Sequence, residues 1–355
     1  MRAIICEQVE KFKLAEVPEP SLRAGEAIVR IKRIGICGTD LHAFKGNQPF
    51  FSYPRILGHE LAGYIEQIGE GVTGLQVGES VTGLQEGEGV TGLQIGDQVS
   101  ILPYMHCGTC IACRNSKTNC CTDLKVLGVH IDGGMRELIS LPVSHLIKTD
   151  GLTLDQAAML EPLSIGAHAV RRSELRAGDN VLVIGAGPIG LGVMILARQR
   201  GANVIAMDVN DERLAFCRDW AGIGHTINAL QQPKEQLAQL ANGEFPTVVF
   251  DATGNARSMT ESFGLVAHGG KLVYVGLVKA DITFHDPDFH KRELTLMSSR
   301  NATMEDFDTV RAAMQDGIID IARYITHRAT FEDMIDQFET WLKPESKVIK
   351  AIVSL

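Results

Sequence analysis

The sequence predicts a large α/β protein with an irregular, mostly β first half and a second half built on a parallel sheet. Three observations predict this fold class. Short β-like runs broken by glycine fill the first part of the chain, strand-like and helix-like segments alternate from about residue 179, and 45% of the 355 residues are hydrophobic. A chain of this length can bury a large core and is expected to form two domains.

In the first half, the predicted strands are short apolar runs rich in β-branched residues and bounded by turn residues. They cover residues 27–34, 62–68, 98–102 and 135–141. In the second half, predicted strands cover residues 181–184, 203–208, 247–251 and 271–275, with a helix running to residue 200 and another starting at residue 211. This alternation predicts a parallel sheet covered by helices on both faces. The tail contributes helices at 305–316 and 332–341 and a strand at 347–353, and we expect it to rejoin the first domain.

Three tandem nonapeptides, GVTGLQVGE, SVTGLQEGE and GVTGLQIGD, occupy residues 71–97. Three short copies cannot build a solenoid. Their apolar spacing fits a glycine-punctuated turn or hairpin. We interpret the repeat as a surface insertion made by tandem duplication, more mobile than its flanking strands; the alternative is a loop that alters a cleft mouth or a subunit contact.

The formal net charge is −9. An acidic chain without a basic stripe favours neither nucleic acid nor an anionic membrane as a partner. The first residues are charged and contain no apolar leader segment, so the expected location is the cytoplasm.

Five of the eight cysteines lie between residues 107 and 121. Because a reducing compartment disfavours disulfides, this cluster predicts a metal site. Cys107, Cys110, Cys113 and Cys121 offer four thiolates on one loop, which close a tetrahedral zinc shell and leave no open position. The sequence therefore predicts a structural zinc, with Cys120 as a spare whose spacing fits less well.

The segment VLVIGAGPIG places a glycine pattern between an apolar strand and a helix. Glycines there allow a tight turn and the close approach of a pyrophosphate to the helix N-terminus. Asp208 ends the next predicted strand, where its carboxylate would accept hydrogen bonds from ribose hydroxyls and repel a 2′-phosphate, which favours NAD over NADP. The alternatives are a plain α/β turn and a helix cap. The expected cofactor-binding residues here are Gly185, Gly187, Pro188, Ile189, Gly190, Asp208 and Arg213.

A third set of residues is scattered along the chain: Cys37 in GICGTDLH, His59 and Glu60 in GHE, and Glu161 in LEPLS. A thiolate, an imidazole and a carboxylate form a three-ligand zinc site that keeps a position open, as Lewis-acid catalysis requires. The sequence does not decide which of Glu60 and Glu161 binds the metal.

These segments stand in an order that resembles the zinc-dependent medium-chain dehydrogenases, over nearly the whole chain. The polyol, threonine and sugar-acid branch is the most similar, because Glu161 and Pro162 stand where other alcohol dehydrogenases of the family have a cysteine ligand. Residues 46–60 and 298–303 are similar to hexonate oxidoreductases in particular.

The resemblance implies a GroES-like catalytic domain of residues 1–157, rejoined by 300–355, and a Rossmann domain of residues 158–299, with the active site in the cleft. It also implies NAD as cofactor, one catalytic and one structural zinc, and a homodimer or homotetramer. Two features depart from the family pattern. Ser116 stands where the cysteine loop often has glycine, which we expect to be tolerated, and the triple repeat is extra.

The resemblance assigns roles residue by residue. Cys37 and His59 would bind the catalytic zinc, with Glu60 and Glu161 as the carboxylates around it, and Thr39 and His42 would form a proton relay to solvent. The nicotinamide would be lined by Val275, Gly276 and Leu277.

The expected reaction is oxidation of a secondary hydroxyl of a sugar acid, a hexonate, to a keto acid. Its carboxylate needs a cation in the cleft. Arg300 is the candidate, against a structural ion pair, and Arg55 and Lys45 are weaker candidates. The alternatives are a neutral polyol or L-threonine as substrate and, more distantly, a nucleotide-binding protein without turnover.

Overall fold

The computed structural model describes residues 1–48, 51–72, 92–241 and 243–355. The middle of the triple repeat, with the expectations for its conformation and mobility, lies outside these residues. Two compact units are present: Met1–Glu161 together with Arg311–Leu355, and Pro162–Val310. In the part of the chain that is described, each helix is too short or too polar to span a lipid bilayer.

The N-terminal part of the first unit is mostly β, as predicted. Its strands are β1 (Arg2–Gln8), β2 (Lys11–Glu16), β3 (Glu26–Ile36), β4 (Arg55–Ile56), β5 (Glu60–Ile68), β6 (Gln98–Ile101), β7 (Tyr104–Met105), β8 (Lys125–Val126), β9 (Leu138–Pro142) and β10 (Leu146–Lys148). Its short helices are α1 (Gly38–Phe44), α2 (Ile111–Arg114) and α3 (Leu154–Ala158).

From residue 160 the chain alternates between helix and strand. The helices are α4 (Leu160–Ser173), α5 (Pro188–Gln199), α6 (Asp211–Ala221), α7 (Pro233–Leu240), α8 (Ala256–Glu261), α9 (Asp286–Lys291) and α10 (Met304–Gln315). The strands are β11 (Asn180–Ile184), β12 (Asn203–Asp208), β13 (His225–Asn228), β14 (Val248–Asp251), β15 (Lys271–Tyr274) and β16 (Thr295–Ser298). The tail forms α11 (Ile321–Tyr324), β17 (Ile325–Thr330), α12 (Met334–Trp341) and β18 (Lys350–Ser354).

The main sheet of the first unit has the strand order β10-β6-β5-β3-β18-β17, with β9 also paired to β3. Strand β18 from the tail runs antiparallel to β3, so that Ile352 lies opposite Gly35. On the other side of β3, Glu60 of β5 also lies opposite Gly35. This shared register positions the metal-binding candidates described below.

One predicted strand of this unit begins later than expected. The sequence predicts a strand from residue 135, whereas β9 begins at Leu138. The preceding backbone N–H groups donate instead to carbonyls of the β4 segment, in the pairs Gly133 to Ile56, Gly134 to Gly58 and Met135 to Leu57. Two consecutive glycines allow the chain to cross this segment closely, since a Cβ on Gly133 would lie 2.3 Å from the carbonyl oxygen of Gly58.

The second unit contains a six-stranded sheet in the order β13-β12-β11-β14-β15-β16. All of its strand pairs are parallel. The chain order reverses between β11 and β14, and in such sheets a crevice opens at the carboxyl ends of the strands on either side of the reversal. The predicted α/β fold class, with a Rossmann-like parallel sheet, is confirmed.

Candidate active site

Cys37 directly follows β3 and is the N-cap residue of α1. Its backbone N–H donates to Asp40 Oδ2 at 2.9 Å, and the backbone N–H of Gly58 donates to Asp40 Oδ1 at 3.1 Å. Asp40 is 1% exposed. One buried carboxylate therefore joins the turn that carries Cys37 to the turn that precedes His59.

The His59 imidazole is buried beside the same carboxylate. Its Nδ1 lies 3.8 Å from Asp40 Oδ1 and makes no hydrogen bond within the described residues. Burial lowers the pKa of His59, but the negative charges of Asp40 and Cys37 outweigh burial and raise this pKa well above its usual value. A buried imidazole beside anionic groups is suited to a cation at this position.

Glu60 follows at the start of β5 and is fully buried. Its two carboxylate oxygens lie 2.6 and 2.9 Å from Lys350 Nζ, which also donates to the Ile36 carbonyl at 3.2 Å. The carboxylate occupies the space over Gly35, because a Cβ on that residue would lie only 2.1 Å from Glu60 Oε2.

The ligand atoms of Cys37, His59 and Glu60 all lie within 4.8 Å of one another. Sulfur, imidazole nitrogen and carboxylate oxygen are the donors that zinc takes in proteins. Three donors of this mixed type, brought together from two turns, are the set that a catalytic zinc takes when one position stays open. The residues present therefore fit a zinc ion, and we call Cys37, His59 and Glu60 the buried cluster.

Glu161 lies in the first turn of α4 and is 3% exposed. The Tyr104 hydroxyl donates to its Oε1. Burial raises the pKa of Glu161 to about 7, against the opposing effect of the nearby His59. Glu161 stands outside the group of three that the described residues form. The two candidate carboxylates thus have different partners, an ammonium for Glu60 and a phenol for Glu161.

Sequence reasoning missed Asp40, Tyr104 and Lys350. Asp40 had a usable signal, because an acidic residue three positions after a helix N-cap is the spacing of a capping box. Lys350 also had one, as a single charge in the apolar run that forms β18. Tyr104 stands in no motif.

Thr39 and His42 both lie on α1, three residues apart, so they share one face of the helix. Thr39 is half-buried and His42 is exposed. The pair therefore leads from the buried cluster's end of α1 toward solvent.

The cysteine loop is a separate cluster near the surface. Cys107, Cys110, Cys113 and Cys121 could hold one metal ion. The sulfurs of Cys110 and Cys113 and those of Cys107 and Cys121 are each 3.5 Å apart. Backbone N–H groups point at the sulfurs, including those of Cys110 to Cys107 and of Asp123 to Cys121. Backbone hydrogen bonds lower the pKa of Cys110 to about 5, whereas burial raises the pKa of its neighbour Cys113. Cys120 is exposed and lies outside this cluster.

The predicted cofactor residues lie at the carboxyl edge of the second unit's sheet. Gly185 follows β11 with a φ of +98°, and a Cβ on Gly190 would lie 1.8 Å from the Gly185 carbonyl oxygen. Gly187 caps α5, Pro188 is its first residue and Ile189 follows. This turn needs glycine at both positions, and it leaves a helix N-terminus facing the edge of the sheet.

Asp208 ends β12 and is 9% exposed. Its Oδ2 accepts from the Ala186 backbone N–H at 2.6 Å and its Oδ1 from that of Asn210 at 2.9 Å. The N-cap of α6 is Asn210, so Asp208 is not the cap. Its carboxylate instead accepts a hydrogen bond from the glycine turn. Arg213 follows five residues later and is exposed on α6.

The remaining cofactor candidates follow β15. The N–H groups of Val275 and Gly276 both donate to the Asp251 carbonyl, and Leu277 is 69% exposed. A Cβ on Gly276 would lie 2.4 Å from the Gly254 nitrogen. The backbone of this stretch is therefore fixed against β14 while the Leu277 side chain remains exposed.

Arg300 is exposed in the turn after β16, at the same edge of the sheet. The turn is anchored by Asp306, which accepts from Thr303 N–H at 2.9 Å and pairs with Arg171 Nε at 2.7 Å. The two weaker cation candidates are paired, since Lys45 Nζ lies 2.5 Å from Glu10 Oε1 and Arg55 Nη1 lies 3.4 Å from Asp132 Oδ1.

Comparisons with known proteins agree with this geometry. The alcohol dehydrogenase GroES-like domain matches residues 23–86 and 82–151, and the zinc-binding dehydrogenase model matches residues 188–316. The two GroES-like segments meet inside the triple repeat. L-galactonate-5-dehydrogenase of Escherichia coli K12 is 39% identical and aligns over 100% of this chain and 99% of its own length. The chain belongs to the zinc-binding alcohol dehydrogenase family.

Other members of the family extend the comparison. L-idonate 5-dehydrogenase of Vitis vinifera is 32% identical and aligns over 94% of this chain and 89% of its own. A solved structure, the short chain alcohol dehydrogenase RspB of Escherichia coli CFT073 complexed with NADH, is 30% identical, with a TM-score of 0.89 over 100% of this chain and 99% of its own. The protein is thus a zinc- and NAD-type dehydrogenase related to sugar-acid and polyol dehydrogenases.

Proposed function

We propose that this dehydrogenase oxidises a secondary hydroxyl of a hexonate to a keto acid, with the buried cluster as its catalytic zinc site. The observation that carries the chemistry is the convergence of the Cys37, His59 and Glu60 ligand atoms within 4.8 Å, with His59 and Glu60 buried and Cys37 partly exposed. The similarity to L-galactonate-5-dehydrogenase supports the substrate class.

Cys37 and His59 would hold the zinc, with Glu60 as the nearer carboxylate. Asp40 places a negative charge 3.8 Å from His59 Nδ1, which would favour a cation bound by the imidazole. When bound, zinc supplies a Lewis acid that lowers the pKa of the substrate hydroxyl. Glu161, held by Tyr104, supplies a second buried carboxyl group in the same unit.

The proton released from the substrate needs a path to solvent. The Thr39 hydroxyl can accept it and donate its own, because a hydroxyl both donates and accepts hydrogen bonds. His42, one helical turn further along α1 and exposed, can pass the proton to water. The spacing of these two residues on one helix face supports this relay.

The hydride acceptor would be NAD, bound along the carboxyl edge of the parallel sheet. The turn at Gly185 and the N-terminus of α5 suit the pyrophosphate, and the stretch from Val275 to Leu277 suits the nicotinamide. Asp208 favours NAD over NADP, because a carboxylate at the end of β12 repels a 2′-phosphate. Arg213, exposed on α6 beyond Asp208, completes the adenosine side of this site.

Arg300 would bind the substrate carboxylate, since a guanidinium forms bidentate hydrogen bonds with a carboxylate. Its position in a turn anchored by buried Asp306 supports this role. Assembly into a dimer or tetramer stays a prediction, which light scattering of the purified protein can test.

The direct test is NADH formation by zinc-replete protein with L-galactonate, L-gulonate, L-idonate, sorbitol, galactitol and L-threonine, each with NAD and with NADP. We expect strong turnover of one hexonate with NAD. Turnover of sorbitol, galactitol or L-threonine alone would reject the hexonate assignment and keep the zinc chemistry. Absence of turnover on all six would reject the proposal for these substrates.

A variant separates recognition of the carboxylate from chemistry. Arg300→Ala should raise KM for the hexonate about tenfold or more, the weight of one lost charge-assisted pair, and leave KM for a neutral polyol nearly unchanged. Lys45→Ala, which removes a cation already paired with Glu10, is the matched control and should change neither value. Equal effects of Arg300→Ala on both substrates would contradict the carboxylate role.

A further inference from the structure

Lys350 is the group in the first unit that the proposed function leaves unexplained. Its side chain is 2% exposed, and its ammonium contacts both oxygens of Glu60. At these distances the two side chains form an ion pair inside the first unit. A buried ion pair costs desolvation energy that a hydrophobic pair of the same volume would avoid, so it calls for a reason.

The ion pair between Glu60 and Lys350 spans two strand spacings of the sheet. Glu60 is on β5 and Lys350 is on β18, and β3 lies between these strands. Neighbouring strands are separated by about 4.8 Å, so the two backbones are roughly 10 Å apart. Glu60 and Ile352 both lie opposite Gly35, and Lys350 is two residues from Ile352. Since side chains alternate along a strand, both charged groups lie on the same face as Gly35.

Gly35 makes the contact possible. A side chain at this position would occupy the space through which the carboxylate reaches over β3, because its Cβ would lie 2.1 Å from Glu60 Oε2 and 2.9 Å from Glu60 Cβ. The backbone here is an ordinary strand with cross-strand partners on both sides. The glycine is therefore needed for the space it leaves.

The same carboxylate is also within the group of three that could hold a metal. A carboxylate oxygen that accepts a hydrogen bond from an ammonium donates less charge to a metal ion. Glu60 Oε1 lies 2.6 Å from Lys350 Nζ, so this contact opposes a movement of the carboxylate toward the metal. Lys350 and a metal ion thus compete for one carboxylate. Removing the ammonium would take this competitor away from the carboxylate.

We propose that Lys350 is a positioning residue that draws Glu60 over Gly35 and so keeps it a weak, exchangeable ligand of the metal held by Cys37 and His59. This inference rests on the proposed zinc site. It predicts that the lysine lowers metal affinity, whereas a purely structural ion pair would raise it by ordering the site. A weakly held carboxylate leaves the open position that substrate must occupy.

The test is the rate at which a chelator removes zinc from the intact holoenzyme, together with the visible spectrum of the cobalt-substituted protein. Lys350→Met, close in length to the lysine side chain, should slow zinc release from the buried cluster about tenfold or more, because Glu60 then binds the metal fully. The cobalt spectrum should shift as the ligand field strengthens. Cys37→Ser identifies which release phase belongs to this cluster, since it should abolish that phase alone.

A second pair of variants is needed because Lys350→Met leaves the Glu60 carboxylate without its partner and could fold poorly. In Glu60→Gln protein, Lys350→Met leaves a neutral pair of similar volume and should have little effect on zinc release. The same slowing in both backgrounds would show a through-space charge effect and overturn the inference. Faster or unchanged release in the native background would also overturn it, and leave the zinc site standing.

A failure of the proposed function looks different. If the wild-type protein holds zinc only in the phase that Cys110→Ser removes, and Cys37→Ser changes nothing, the buried cluster is not a zinc site and both proposals fail.

Discussion

The cysteine loop and the buried cluster both gather zinc-type ligands, but they are built in opposite ways. The loop takes its four sulfurs from residues 107–121 and directs its own backbone N–H groups at them. The buried cluster takes Cys37 from the turn after β3 and takes His59 and Glu60 from the chain where β5 begins. Buried charged groups lie beside two of these ligands: Asp40 beside His59 and Lys350 beside Glu60.

The different ligand sets suit the two sites to different roles. Four thiolates around one ion leave no open position, so the loop suits a structural metal. The buried cluster offers three donors of mixed type, one of them shared with an ammonium, so it suits a metal that must accept substrate. Breaking the loop should therefore cost stability, and breaking the cluster should cost metal binding and turnover.

The largest effect is expected at the loop. Cys110→Ser removes one of the four ligands and should lower the free energy of unfolding by several kcal/mol, since structural zinc contributes directly to folding. Thermal denaturation with and without added chelator measures this. Cys120→Ser, in the same loop but outside the cluster, is the matched control and should unfold like wild type. Equal losses in both variants would contradict a metal site at the loop.

The next effect concerns the carboxylate behind His59. Asp40→Asn keeps the size of the side chain but has one oxygen for the two N–H groups of Cys37 and Gly58, and it removes the charge beside the imidazole. Metal affinity of the buried cluster should fall by about 10- to 100-fold, the usual cost of losing such a partner. Competition with a chelator checks this, and zinc at the cysteine loop should be unaffected. Unchanged affinity would show that Asp40 only fixes the turn.

A smaller effect is expected at Gly35. Gly35→Ala forces a Cβ into the Glu60 carboxylate and into Met159 Cε, 2.7 Å away. The overpacking should cost about 1–3 kcal/mol in the free energy of unfolding. Gly38→Ala is the control, because a Cβ there meets nothing within 4 Å. Denaturant unfolding of both variants compares them, and a neutral Gly35→Ala would show that Glu60 can move aside.

The smallest effect returns to the loop. Ser116 has a φ of +56°, in the left-handed region, which explains why related loops use glycine there. Ser116→Gly should stabilise the protein by about 0.5 kcal/mol, the strain relieved less the entropy that glycine loses. Asn115→Gly, at a residue with a φ of −102°, should destabilise it instead. Opposite signs in thermal unfolding would confirm the conformational cause.

The features that could be predicted from sequence are those whose parts are close together in the chain. In the second unit, each strand and the helix that follows it occupy about thirty residues of sequence. The glycine turn and the cysteine loop are each contained in one short segment. The predicted start of β9 at residue 135 is too early, because Met135 and the residues before it bond to the β4 segment, which is distant in sequence.

The choice between Glu60 and Glu161 could not be predicted, because it depends on their partners. Lys350 is 290 residues from Glu60, and Tyr104 is 57 residues from Glu161. Distances along the sequence do not predict either partner. Lys350 reaches the site because the C-terminal strand β18 pairs with β3. Likewise, the hydrogen bond from the Ala186 N–H to Asp208 appears only when β11 and β12 are aligned.

The buried cluster should hold the catalytic zinc independently of the cysteine loop. Zinc content and NADH formation from a hexonate, measured on wild-type and Cys37→Ser protein of equal thermal stability, distinguish the two sites. We expect the wild type to hold zinc at both sites, and Cys37→Ser to keep only the loop zinc and lose turnover. A Cys37→Ser protein that keeps its full zinc content, or that still reduces NAD at the wild-type rate, would show that the buried cluster is not the catalytic zinc site.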